Sequence, residues 1–145
     1  MGIKKGISSK GEIMHYSVAA LIKDGNKYLL IDRARLPYGF ACVAGHIDEN
    51  ETFQKALERE VLEEIGVEVT TSRLVFQGEL EKNTCGKGAN VHHWFVFKVN
   101  YKGELKIDTK EVKSIGWYTK KEIKNLNKPN AFDFLLKQLR FYDSI

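Results

Sequence analysis

The chain has 145 residues and a mass of 16.6 kDa, room for one domain and enough to fold without a disulfide or a structural metal. Its 43% hydrophobic and 29% charged residues exclude disordered, collagen-like and low-complexity classes. The net charge of +4 favours anionic partners, but only five of the 23 basic residues are Arg and no Lys/Arg run exceeds two, which suits a small phosphorylated ligand as well as RNA.

In chain order, residues 1–6 lack the apolar core of a secretory signal, so a cytoplasmic location is expected. Apolar runs such as Val18-Ala19-Ala20-Leu21-Ile22 fall far short of the roughly 18 residues of a membrane span. Residues 17–22 and 27–31 read as strands joined by the hairpin signal Asp24-Gly25-Asn26, and residues 33–40, with Pro37 and Gly39, as a loop. Residues 52–65 form the strongest helix expectation: Thr52 suits the N-cap and Gly66 a left-handed C-terminal cap. Residues 67–77 and 91–99 read as strands around the turn-rich Asn83-Thr84-Cys85-Gly86-Lys87-Gly88, and 115–118 as a short strand. Thr119 and Glu122 have capping-box spacing. After Pro129, Phe132, Leu135, Leu136 and Leu139 fall on one helical face. This order implies one α/β domain over residues 1–145, a mixed sheet with helices on both faces. Cys42 and Cys85 lack a C-x-x-C pairing and are expected to be reduced thiols. The Asn50-Glu51-Thr52 sequon is expected to stay unused.

The predicted helix carries a carboxylate cluster. At roughly 100° per residue, Phe53, Leu57, Val61 and Ile65 form a buried stripe. Glu60, Glu63 and Glu64 lie at i, i+3 and i+4 on one face, and that face borders the stripe instead of opposing it. Like charges at this spacing cost a few tenths of a kcal/mol each. Two readings stand: a hard divalent cation held by oxygen ligands, or a solvated acidic face. Arg59 is placed to orient a carboxylate, and Gly45 permits a bend that could aim a carbonyl at the same cation.

Gly45, Glu51, Arg59, Glu60, Val61, Glu63, Glu64, Gly66 and Val67 occupy every defined position of the pattern G-x5-E-x7-R-E-U-x-E-E-x-G-U, with U aliphatic. The segment thus resembles the Nudix hydrolase signature, and a chance match is below about one in a million. The resemblance implies an α/β/α sandwich with a mixed β-sheet and a loop–helix–loop metal site. It implies hydrolysis of a nucleoside diphosphate linked to another group, with Mg²⁺ or Mn²⁺ as cofactor. Carried onto this chain, Glu60, Glu63, Glu64 and the Gly45 carbonyl would hold the metal, while Glu51 and Arg59 would support the geometry. Glu60 is favoured as the general base, with Glu63 and Glu111 as the other candidates. Val43-Ala44 stands where many members have Pro-Gly, which weakens transfer of a substrate class. Neither the proline of ADP-ribose hydrolases nor the tyrosine of dinucleoside-polyphosphate hydrolases occurs at its usual distance downstream.

Among the remaining residues, Arg33 and Arg35 could reach a phosphate, or serve only as solubilising charge. Tyr38 and Phe40 could stack on a base, with core packing favoured for Phe40. His46 could contact phosphate, with simple exposure the commoner outcome; His15 is expected to be exposed. His92 and His93, adjacent in a strand, point to opposite faces and cannot chelate one metal together. Trp94, Phe95 and Phe97 are expected in the core, and Gly86-Lys87-Gly88 reads as a hairpin turn, not a P-loop. The expected activity is a nucleoside triphosphate pyrophosphohydrolase. The alternatives are a non-catalytic nucleotide-binding regulator on the same fold and a decapping-type RNA hydrolase. The expected partner is a nucleotide-type small molecule, with no membrane and with nucleic acid disfavoured by the low arginine content; a homodimer stays open.

Overall fold

Two strands with apolar side chains on both faces organise the molecule. In β2 (Ile13–Leu21) Val18, Ala19 and Ala20 are all buried, and in β4 (Lys27–Arg33) so are Leu29, Leu30 and Ile31. Successive side chains alternate across a strand, so Val18, Ala20, Leu29 and Ile31 enter one core while Ala19 and Leu30 enter a second. The described structure, a computed structural model, comprises residues 2–81 and 88–143.

β2 lies within a five-stranded mixed sheet. It pairs antiparallel with β1 (Lys5–Ile7) and β6 (Val43–His46) and parallel with β8 (Val91–Lys102), which in turn pairs antiparallel with β7 (Glu68–Leu80). β4 belongs to a four-stranded antiparallel sheet with β3 (Lys23–Asp24), β5 (Gly39–Ala41) and β9 (Val112–Thr119). The helix α1 (Phe53–Ile65) supplies Ala56, Leu57, Val61 and Ile65 to the first core. The helices α2 (Lys120–Asn125) and α3 (Asn130–Gln138) supply Ile123, Phe132, Leu135 and Leu136 to the second. Helices therefore cover both faces, and the architecture is the expected α/β/α sandwich, its strands divided between two sheets.

The helix ends follow the expected chemistry. The Thr52 hydroxyl accepts the Lys55 backbone N–H, and Gly66 adopts φ 73° with its N–H donating to the Leu62 carbonyl, closing α1 in a conformation that costs glycine nothing. Thr119 and Glu122 form the reciprocal capping box of α2. The strands run longer than the apolar runs alone indicate, with β7 reaching Leu80 and β8 reaching Lys102. Pairing with β8 continues through polar residues such as Thr71, Ser72 and Gln77, with the register shifting between Val69 and Thr71 and between Leu74 and Phe76, because β7 is an outer strand with a solvated face.

Phe53 departs from expectation: it is 41% exposed. Its direction around the helix is that of the stripe, but no earlier helical turn flanks it. It lies against the Phe95 ring at 4.8 Å between centroids, and Ala56 completes the buried stripe instead. Phe97 is buried as expected, whereas Trp94 and Phe95 are only partly so. Cys42 is buried, and burial pushes its thiol up to about 12, an inert state. Cys85 and the Asn83–Lys87 part of the expected turn lie outside the described residues. Among those residues, no helix is long and apolar enough to cross a membrane.

Candidate active site

The C-terminal end of β6, the polar edge of α1, the loop after β4 and the start of α3 surround a cavity of about 430 Å³. One wall carries Gly45, Arg59, Glu60, Glu63, Glu64 and Glu111; Arg33 and Arg35 stand at its rim. Much of the remaining lining is apolar or aromatic and includes Cys42, Trp94, Phe132 and Leu135.

Arg59 organises the acidic wall. Its Nε and Nη2 donate to the two Glu51 carboxylate oxygens at 2.7 and 2.9 Å, the fork geometry in which guanidinium and carboxylate match best. Nη2 also donates to the His46 carbonyl at 3.0 Å, and Nη1 to Glu60 Oε1 at 2.9 Å and Glu63 Oε2 at 3.3 Å. Glu51 Oε1 also accepts the Asp48 backbone N–H, so the Glu51–Arg59 pair ties the loop before α1 to the helix. The guanidinium lowers the Glu51 carboxyl below the usual range.

The three helical glutamates occupy different depths. Glu63 is exposed, Glu60 half-buried, and Glu64 only 2% exposed. Burial pushes the Glu60 carboxyl up to about 7, against the opposing charge of Arg59, with Glu63 and Glu111 adding to the rise. Burial likewise raises Glu64 well above the carboxylate range, reinforced by Glu60 and opposed by Arg33 and by the Ala44 backbone N–H. Glu64 Oε2 is buried without a hydrogen-bond partner. An orphaned oxygen there costs free energy unless something that takes oxygen ligands meets it. A methyl group on Gly45 would overlap the Glu60 carboxylate, so glycine is required there by the close approach of that carboxylate; its φ is ordinary. Four carboxylates, one with an unused buried oxygen, fit the oxygen preference of Mg²⁺ or Mn²⁺.

The other sequence candidates separate. Glu111 joins the acidic wall, with Arg35 Nη1 3.4 Å away. Arg33 lines the cavity but donates its Nε to the Pro37 carbonyl at 2.8 Å, shaping the loop that carries it. Tyr38 and Phe40 do not line the cavity: Tyr38 is exposed with the Lys113 ammonium over its ring, and Phe40 packs on Tyr118. Trp94, Phe132 and Leu135 form the aromatic and apolar wall instead. Each reads in sequence as an ordinary core position, and nothing local marks it as facing a cavity.

The histidines differ most from expectation. His15, expected to be exposed, is 1% exposed, because β1 and β8 flank it on either side of β2. His92 and His93 do point to opposite faces, His92 buried and His93 against Gln77 Oε1 at 3.3 Å. His92 instead meets His15 and His46, which come from two other strands. The ligand nitrogens of these three lie within 4.8 Å of one another.

The family model described as NUDIX domain matches residues 14–138. The NAD-capped RNA hydrolase NUDT12 of Homo sapiens is 31% identical over 103 residues, 69% of this chain and 21% of that protein. The chain therefore spans about a fifth of the length of the curated relatives it matches. The MutT NUDIX hydrolase of Burkholderia pseudomallei superposes with a TM-score of 0.70 at 21% identity, covering 86% of this chain and 97% of that one. The NUDIX domain of Shewanella oneidensis NrtR, solved with ADP ribose, superposes with a TM-score of 0.72 at 16% identity over 90% and 89% of the two chains.

Proposed function

The chain belongs to the Nudix hydrolase family, and from that premise we propose that it is a divalent-metal-dependent pyrophosphohydrolase of nucleoside diphosphate derivatives, with a nucleoside triphosphate as the favoured substrate. The observation that carries this reading is the buried, unpartnered Glu64 Oε2, grouped with Glu60, Glu63 and Glu111 in a cavity that Trp94, Phe132 and Leu135 also line. The acidic wall suits a metal-bound polyphosphate, and Trp94, Phe132 and Leu135 suit a base or sugar.

Glu60, Glu63, Glu64 and the Gly45 carbonyl would hold Mg²⁺ or Mn²⁺. When bound, such a cation neutralises phosphate charge and polarises the phosphoryl oxygens. The chain's own residues supply the rest. Glu60 is our choice for the general base that accepts a proton from the attacking water: burial raises its carboxyl to about 7 in the metal-free protein, and a bound cation would lower it from there, leaving the carboxylate ionised to take a proton. Glu63 and Glu111 are the other candidates. Arg59 holds one Glu60 oxygen and so fixes the direction of the other. Arg33 and Arg35 attract the polyphosphate at the rim, and the Trp94 indole N–H, buried without an acceptor, offers a donor on the base-side wall. The whole chain acts as one domain, and the buried, reduced Cys42 suits a cytoplasmic location.

The test is a panel of nucleoside triphosphates, ADP-ribose, NAD⁺ and NAD-capped RNA, assayed for phosphate, pyrophosphate and mononucleotide release with Mg²⁺ and with chelator. The expected result is metal-dependent turnover, strongest with a triphosphate. Preferred cleavage of NAD-capped RNA would replace the substrate assignment with the one named for the 31% identical relative, and preferred cleavage of NAD⁺ or ADP-ribose would replace the triphosphate with another nucleoside diphosphate derivative. No turnover of any compound, with nucleotide binding retained in calorimetry, would make the protein a nucleotide-binding regulator.

A further inference from the structure

Three imidazoles converge at the edge of the cavity, and the fold explains how. In the parallel pair of β2 and β8, His15 lies directly opposite His92; in the antiparallel pair of β2 and β6, His46 lies opposite Ser17. His15 and Ser17 are two residues apart on β2, so all three histidines project from one face of the sheet. The ring centroids are separated by 5.2, 5.6 and 5.3 Å. His46 Nε2 and His92 Nε2 are 3.3 Å apart.

From this convergence we infer that His15, His46 and His92 form a second cation site, distinct from the glutamate site and selective for a transition metal such as Zn²⁺. A tetrahedral zinc with Zn–N distances of about 2.0–2.1 Å places its ligand nitrogens about 3.3 Å apart. The His46–His92 pair already has that spacing, and the widest separation in the group, 4.8 Å, closes with small ring rotations. His15 and His92 are 1% and 2% exposed, so packing restrains them more tightly than the half-exposed His46. His46 and His92 also line the cavity. The fourth coordination position therefore faces it, open to water or to an oxygen of a bound molecule.

Ligand chemistry separates the two sites. Nitrogen donors suit Zn²⁺, Ni²⁺ or Co²⁺, and carboxylates suit Mg²⁺ or Mn²⁺. Geometry separates them too: along β6, Gly45 faces the Glu60 carboxylate and His46 projects to the other face. A metal on the three imidazoles would strap β6, β2 and β8 together at the strand leading into the loop before α1. The inference does not rest on the glutamates holding a metal.

The test uses Co²⁺ as a coloured probe and Zn²⁺ as competitor, on the chelator-stripped 145-residue chain. Four-coordinate Co²⁺ with imidazole ligands absorbs strongly in the visible, and six-coordinate oxygen sites do not. One equivalent of absorbing Co²⁺ is expected, displaced by one equivalent of Zn²⁺. Both His46→Ala and His92→Gln should weaken binding at least tenfold, since loss of even an outer-shell partner costs about 10–100-fold. Glu64→Gln should leave the absorption unchanged. If His92→Gln fails to fold, the half-exposed His46→Ala still decides. No visible absorption in the wild type, undiminished absorption in His46→Ala, or its loss in Glu64→Gln would overturn the proposal; the first result would make the trio a packing feature of the sheet.

Discussion

At the scale of single residues, Glu64 carries the most consequence. Its carboxyl is buried, raised well above the usual range, and has one oxygen without a partner. Glu64→Gln keeps size and helix propensity but removes a charged ligand. It should lower kcat by about 10²–10⁴, since a bound cation supplies several kcal/mol of transition-state stabilisation at ~1.4 kcal/mol per tenfold. The same change should raise the melting temperature of the chelated protein. Glu58, whose carboxylate accepts from Gln54 Nε2 at 3.0 Å, does not line the cavity. Glu58→Gln is therefore the control, and equal losses in the two variants would refute the assignment. Glu60 supplies a test in pH. Its carboxyl is raised to about 7 in the folded protein, against about 4.3 for a free glutamate. Between those values the native state binds more protons than the unfolded one, so this residue's contribution to stability falls as pH rises. In chelator, wild type should lose stability relative to Glu60→Gln from about pH 4.5 to 7, by about 4 kcal/mol at most. Urea titrations at four pH values would measure it, and a constant difference would show that Glu60 titrates normally.

At the scale of elements, β6 and α1 must approach closely enough for a helix carboxylate to lie on a strand backbone. Gly45 makes that contact possible, since a Cβ there meets the Glu60 carboxylate. Gly45→Ala should push Glu60 aside and reduce kcat at least about tenfold, by analogy with displaced ligand-orienting groups, while near-UV circular dichroism stays native. Full activity with a displaced Glu60 in the variant's crystal structure would remove Glu60 from the chemistry. The helix itself was legible in the sequence. Thr52 and Gly66 cap it as their side-chain chemistry requires, and Leu57, Val61 and Ile65 face the core. The depth of Glu64 was only half legible, because helical phase places it at the border of the stripe. Contact of α1 with β6, where the Ala44 backbone N–H approaches its carboxylate, puts it inside.

At the scale of the whole molecule, two cores share β2 and β4, and the cavity opens where one sheet ends between α1 and α3. A cation bound to the acidic wall couples to global stability by mass action. For a dissociation constant near ~1 mM and ~5 mM Mg²⁺, the gain is roughly 1 kcal/mol, or about 2–4 °C in melting temperature for a domain this size. Thermal scans with chelator and with Mg²⁺ should show that shift in wild type and a smaller one in Glu64→Gln. Superimposable curves throughout would mean that the glutamates are only a solvated face.

The features legible in the sequence arise from interactions between near neighbours. The caps of α1 and α2, the carboxylates at i, i+3 and i+4, and the alternation in β2 and β4 all act within a few residues, so spacing reveals them. The spacing from Gly45 to Val67 also encoded the family, because a loop and helix of set length bring Glu51 to Arg59. Tertiary structure alone decided which distant residues meet. His15 lies beside His92 and near His46 only through the pairing of β2 with β8 and β6, and its burial depends on strands far away in the chain. Trp94, Phe132 and Leu135 line one cavity because β8 and α3, far apart in the chain, both border it. Tyr38, close to the acidic segment in sequence, turns outward to Lys113. Local pattern specifies which face of an element is apolar or charged; the packing of elements specifies which faces enclose a core and which enclose a site.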